Sequence, residues 1–261
     1  MTRVPYYPRL MIDRTTSGNV VTLRLNHGKV AALDLEFAEA IALAFNELAT
    51  SDVRAVILTG TGSTFTAGVD LYRIVDGGRE YVERFFPALA RLILDLFAFP
   101  KPLVVAVNGH AIAGGCIFTL CGDYRLMAAG PYRIGIPELL VGVPFPASVL
   151  EVIRFALPPQ HLQMLMYTGR TVEPEEALRL GIIDEVAPDV MARAEAVASR
   201  IASLPPDALQ LAKRQLRDRT VSHAKHYAHE LDASALEIWS SEETHARIRD
   251  YLARTVKKPE R

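Results

Sequence analysis

Two uninterrupted apolar runs constrain this chain more than anything else in it. Arg54-Ala55-Val56-Ile57-Leu58-Thr59-Gly60 and Leu103-Val104-Val105-Ala106-Val107 lack the polar/apolar alternation of a half-exposed strand, so both are predicted to be buried on two faces. A stretch of helical spacing precedes each run. From Leu33 to Ala49 the apolar residues fall at Phe37, Ala40, Ile41, Ala44, Phe45 and Leu48, with Asp34 placed as an N-cap. A second helix is predicted from about Glu80 to Phe97, stopped by Pro100. Strands sheltered by helices predict an α/β core with extensive parallel pairing. A hairpin, Leu10–Asp13 with Val20–Leu25 around Ser17-Gly18-Asn19, opens the chain, and Tyr124–Ala128 adds a short strand. From about Val190 onward Ala, Arg, Glu and Leu recur with helical spacing and no strand candidate follows. The expected organisation is a core over residues 1–190 and a helical C-terminal region over 191–261.

Composition removes several classes of function. Half of the 261 residues are hydrophobic, enough apolar surface to fold. Lys and Arg number 29 against 30 Asp and Glu, so no broad positive field favours nucleic acid. Cys116 and Cys121, five positions apart, form neither a disulfide framework nor a zinc pair, and point to a reduced, intracellular protein. Met1–Leu10 contains Pro5 and Pro8 and lacks the apolar run of a signal peptide. Pro102–Gly122 is uncharged, but Asn108, Gly109, His110, Gly114 and Gly115 divide it into strand, turn and helix start rather than a membrane span. A cytoplasmic location, with no membrane partner, is expected.

Several motif candidates are incomplete. Gly60-Thr61-Gly62 follows a strand but lacks the third glycine of a dinucleotide turn, and no phosphate-loop lysine follows. His223, His226 and His229 lie three apart without a zinc signature around them, so a solvated helix face is expected and no metal site. There is no Gly-x-Ser-x-Gly elbow. Two segments carry more information: Phe65-Thr66-Ala67-Gly68-Val69-Asp70-Leu71 after the first buried strand, and Asn108-Gly109-His110-Ala111-Ile112-Ala113-Gly114-Gly115-Cys116-Ile117 after the second. Each puts small residues, hence accessible backbone N–H groups, at a strand exit. The second adds a helix N-terminus, where free N–H groups favour negative charge. Two such donors converging on one point make an oxyanion hole; taken singly, each loop reads first as a tight turn.

Together with Cys121-Gly122-Asp123-Tyr124-Arg125, Ile136-Pro137-Glu138-Leu139-Leu140-Val141-Gly142, Thr168-Gly169-Arg170 and Ala177 through Val186, these segments resemble the enoyl-CoA hydratase/isomerase, or crotonase, superfamily in one colinear order over roughly residues 10–190. The resemblance implies a spiral of repeated ββα units with a helical C-terminal trimerisation region, a homotrimer or dimer of trimers, and an acyl-CoA thioester substrate with no cofactor beyond the coenzyme A it carries. It places the two oxyanion-hole N–H groups at Val69 and Gly114. Lys29, Val30, Ala67, Asp70 and Ile117 fall at substrate-binding positions.

The same resemblance directs attention to carboxylates. Family hydratases hold a water between two glutamates. Here the second is present as Glu138, but the first position, three residues beyond Gly114, is Ile117, which can neither ionise nor orient water. The segment Gly142-Val143-Pro144-Phe145-Pro146-Ala147 is also less glycine-rich than in the hydratases. A lone glutamate suits isomerisation of a 3-enoyl-CoA to the 2-enoyl form through a thioester enolate. The alternatives are 2-enoyl-CoA hydration, another one-carboxylate reaction such as thioester hydrolysis or decarboxylation, or a non-catalytic acyl-CoA binder. Glu138 on its own, without the resemblance, reads first as a residue favoured after proline at a helix start.

Overall fold

The computed structural model describes residues 11–255. Leu10, and with it the expectation that Met1–Leu10 is no signal peptide, lies outside the described residues. The chain opens with β1 (Ile12–Ser17) and β2 (Val20–Leu25), the expected hairpin with its first strand extended to the turn. Next comes α1 (Leu35–Ala49), whose Asp34 carboxylate accepts from the Phe37 N–H at 2.8 Å. This satisfies one of the free donors of the helix start.

From there the chain repeats a unit in which one strand enters a large sheet, the next enters a small one, and a helix returns. The first repeat is β3 (Ala55–Thr59), β4 (Thr64–Thr66) and α2 (Leu71–Phe97). The second is β5 (Leu103–Val107), β6 (His110–Ile112) and α3 (Gly114–Leu120), and β7 (Tyr124–Ala128) with β8 (Ile134–Gly135) begins a third. The small sheet is completed by β9 (Thr171–Val172) and the large one by β10 (Glu185–Ala187). The large sheet has the order β1-β2-β3-β5-β7-β10 and is parallel from β2 onward; the small sheet has the order β4-β6-β8-β9. This is the winding the ββα reading requires.

Two local differences from the expectations concern the site. His110–Ile112 is a strand rather than part of a glycine-rich turn, because it pairs with β4 on one side and β8 on the other. The helix expected from about Glu80 to Phe97 is present, but a further helical segment beginning at Leu71 precedes it, and the two together make up α2. The Asp70 carboxylate caps it by accepting from the Tyr72 and Arg73 N–H groups, and the helix then breaks at Gly78, at φ 60 and ψ −156, before resuming. Only glycine takes that backbone geometry without strain.

The central strands are buried on both faces, as their composition demands. Val56 and Leu58 of β3 face the main core; Ala55 and Ile57 face a second layer formed with Ala194, Val197 and Ala198 of α7 (Val190–Ala202). Between β8 and α7 the chain forms a 3₁₀ turn at Glu138–Val141 and the helices α4 (Ala147–Ala156), α5 (Pro159–Thr168) and α6 (Pro174–Arg179). The chain ends in a long helix α8 (Pro206–Trp239) and α9 (Glu242–Thr255).

An ion cluster anchors α8. Asp123, in the turn before β7, receives Lys213 at 2.5 Å and Arg217 at 2.8 Å. Arg217 also donates to the carbonyls of Phe97, Cys121 and Gly122, and Lys213 to that of Lys101. Burial pulls the Lys213 ammonium down to about 8 even though Asp123 opposes the shift. Charges this deep persist because each is paired with Asp123 and hydrogen-bonded to backbone carbonyls.

Candidate active site

The small sheet brings the two strand exits together. Beyond β4, the Thr66 hydroxyl donates to the Ala31 carbonyl at 2.6 Å and accepts from the Gly68 N–H at 3.1 Å. The Leu33 N–H donates to the Gly68 carbonyl at 2.7 Å and the Asp70 N–H to the Leu33 carbonyl at 2.9 Å. Val69 lies between these two bonds and its own N–H is left over. Beyond β6, Ala113 donates to Gly135 at 2.9 Å and then takes a positive φ of 53, which turns the chain sharply into α3 with Gly114 as its first residue. Positive φ in a residue with a side chain stores strain, and strain of this kind marks functional turns. Among the described residues neither the Val69 nor the Gly114 N–H donates a hydrogen bond. The turns are in contact: a Cβ on Gly68 would stand 2.9 Å from the Gly114 nitrogen, and one on Gly114 would stand 3.3 Å from the Gly68 Cα.

Both turns open into one cavity. Ala67, Val69, Gly114, Ile117 and Glu138 all line it, five of the eight expected site residues. Val141, Val143, Pro144, Phe145 and Pro146, from the segment after Glu138, form another wall. The Glu138 Oε2 is buried and has no hydrogen-bond partner among the described residues. Burial in this apolar lining pushes its carboxyl up to about 8, opposed only in part by its own backbone N–H. A carboxyl so raised exchanges protons near neutral pH, as a general acid-base group must. Ile117 sits on the first turn of α3, 2% exposed, and among the described residues no other carboxylate lines the cavity.

The remaining expected residues lie outside the lining. The Val30 carbonyl accepts from the Ala67 N–H at 3.0 Å, so Val30 supports the first turn. Lys29, its neighbour, is exposed. The Asp70 side chain is occupied in capping α2.

The cavity also has walls that sequence reading did not identify. Leu89 and Ile93 come from α2, Val149 from α4, Trp239 from the end of α8 and Tyr251 from α9. The only sequence signal for any of these is that Trp239 is the single tryptophan of the chain. Cys116 and Cys121 are free and buried, and burial pushes the Cys121 thiol up to about 12, so neither thiol is a ready nucleophile. His226 pairs with Glu230 on the surface of α8, and among the described residues no group of three or more His, Cys, Asp or Glu could hold a metal ion.

Stacked sheets wound from ββα repeats, with the site at the exits of paired strands, define the crotonase fold. The chain belongs to the enoyl-CoA hydratase/isomerase family, whose description matches residues 15–254. Its fold is similar to that of human mitochondrial delta3-delta2-enoyl-CoA isomerase, with a TM-score of 0.89 at 27% identity over 94% of this chain and 97% of that one. In sequence it is similar to the mitochondrial enoyl-CoA delta isomerase 1 of Mus musculus, 29% identical over 220 residues, which cover 82% of this chain and 76% of that protein. It is also similar to a putative enoyl-CoA hydratase of Thermus thermophilus, 37% identical over 191 residues, covering 70% of this chain and 74% of that protein. The chain is accordingly an enzyme of a family that acts on coenzyme A thioesters. No described helix is long and apolar enough to cross a membrane.

Proposed function

We propose that the protein is an enoyl-CoA isomerase that moves the double bond of a 3-enoyl-CoA to the 2-position. The observation that carries this reading is the pairing of Glu138, whose Oε2 is buried and unpartnered, with Ile117 in a cavity lined, among the described residues, by no second carboxylate. The thioester oxygen accepts from the Val69 and Gly114 N–H groups. Ionised Glu138 removes a proton from C2, and the electron pair delocalises over C2 to C4 and the thioester oxygen. The same carboxyl then returns the proton to C4, leaving the double bond between C2 and C3 and Glu138 ionised again. Each preorganised donor aimed at the developing oxyanion supplies about 2.7–4 kcal/mol. The cycle consumes no water and needs no group beyond the coenzyme A of the substrate.

Ala67 and Ile117 contact the substrate, and Lys29, Val30 and Asp70 hold the coenzyme A part near the mouth. The enzyme works in the cytoplasm as a homotrimer or dimer of trimers. A second reading, 2-enoyl-CoA hydration, draws on the similarity to the Thermus thermophilus protein. It is weakened by Ile117, which leaves a water with one carboxylate partner. Incubating the protein separately with 3-enoyl-CoA and 2-enoyl-CoA decides between them. Conversion of the 3-enoyl to the 2-enoyl thioester, faster than hydration of the latter, is expected; hydration that outruns isomerisation overturns the proposal.

A further inference from the structure

The cavity that holds Glu138 has an open side and a closed one. Ala67, Val69, Leu71, Phe145 and Tyr251 retain partial exposure, whereas Ile93, Trp239, Val143, Val149 and Leu89 are 0–5% exposed. The charged coenzyme A portion of a thioester must remain toward solvent, so the hydrocarbon beyond the reacting carbons points to the buried side. Every side chain there except Trp239 is aliphatic.

Trp239 is also the side chain least able to move aside. Its indole Nε1 donates to the Pro144 carbonyl at 2.7 Å. Its ring packs edge-on against Phe86, 5.6 Å between centroids, and tilted against Phe85 at 6.4 Å. Its backbone is held as well, because His245 Nε2 donates to the Trp239 carbonyl at 2.9 Å. An aliphatic wall yields to a longer chain by changing rotamer. An indole bonded at its nitrogen and packed on two other rings does not.

We infer that Trp239 is the specificity-determining residue that sets the length of acyl chain the enzyme accepts: the pinned indole is the surface on which the hydrocarbon ends, and 3-enoyl thioesters long enough to reach past it are refused. This rests on the acyl-CoA reading above. A well-packed apolar pocket discriminates by about 10- to 200-fold for one methylene, so the limit should be a step rather than a gradual decline.

Two experiments test it. In the first, kcat/KM is measured for 3-hexenoyl-, 3-octenoyl-, 3-decenoyl- and 3-dodecenoyl-CoA with wild type, Trp239→Phe and Trp239→Leu. Wild type should show a step along the series. Trp239→Leu should move the step to longer chains, raising the long-to-short ratio by about 10-fold or more; Trp239→Phe, which keeps a ring, should move it less. The second experiment needs no variant, because Trp239 is the only tryptophan. Titration with saturated acyl-CoAs should change the protein's intrinsic fluorescence progressively as the chain lengthens to the limit, while free coenzyme A leaves it as it was. A folded Trp239→Leu protein with the wild-type length profile, or emission that ignores acyl length while the thioesters bind, overturns the inference and leaves the isomerase proposal standing. If wild type neither binds nor isomerises any of these thioesters, the acyl-CoA reading itself falls and takes the inference with it.

Discussion

A methyl group on Gly68 would lie 2.9 Å from the Gly114 nitrogen, 2.8 Å from the Ile112 carbonyl and 2.7 Å from the Ala113 Cβ, so the two turns that present the site's free N–H groups are packed through a glycine. At φ +82, Gly68 is in addition a conformation that favours glycine. Gly68→Ala should therefore separate the Val69 and Gly114 donors. Loss of one oxyanion donor lowers kcat by about 10²- to 10³-fold, and a loss of that order is expected in steady-state isomerase assays. A variant with wild-type kcat would show that the two N–H groups need not converge.

Glu138→Gln removes the only carboxylate of the lining among the described residues while preserving its shape. General acid-base catalysis typically contributes about 10²- to 10⁴-fold, and turnover should fall by at least the lower figure. Binding of a saturated acyl-CoA, measured by calorimetry, should change little, because backbone N–H groups and apolar walls hold the thioester.

The rate should follow the ionisation of the same group. The isomerase cycle begins with Glu138 as a base, and its carboxyl is pushed up to about 8 by burial. The free-enzyme profile of kcat/KM should rise with pH to a plateau above about pH 8, about tenfold per unit on the acid side. A profile flat from pH 5 to 9 would remove Glu138 from the role of base.

Stability should run in the opposite direction. Below the ordinary carboxyl value of 4.5 Glu138 is protonated folded or unfolded, and no net effect arises. Between 4.5 and about 8 the folded protein retains the proton and the unfolded chain releases it, so this group's contribution favours unfolding increasingly as pH rises, by at most about 1.4 kcal/mol per unit. Glu138→Gln should thus gain stability over wild type at pH 8 relative to pH 5, read as urea unfolding free energies at the two values. An equal difference at both would mean that the carboxyl titrates normally in the folded state.

Asp123 is the sole carboxylate bonded to Lys213 and Arg217 among the described residues, and their side chains are only 9% and 7% exposed. Asp123→Asn leaves two buried cations without a counterion, and breaking a buried pair in this way costs about 3–5 kcal/mol. Urea denaturation near neutral pH should report a loss of that size.

Much of this architecture was legible in the chain alone. Arrangements settled by neighbours along the sequence could be read there: β3 and β5 from their unbroken apolar runs, α1 from its period and Asp34, and the strand exits at Val69 and Gly114 from their small residues. The family pattern likewise singled out Ile117 and Glu138, which the fold places in one lining. Tertiary structure decided the rest. Strands β4, β6, β8 and β9 have only two or three residues each, too few for a periodic signal, and they exist because partners from distant segments complete their hydrogen bonds. That the Asp70 carboxylate also caps α2 follows from where that helix starts, at Leu71, which no periodic signal marked. Trp239 and Tyr251 join the cavity only because α8 and α9 return to it, and no local pattern encodes that return. The raised proton affinity of Glu138 has the same origin: a carboxyl's ionisation depends on the solvent it loses, and only the packed fold determines how much is lost.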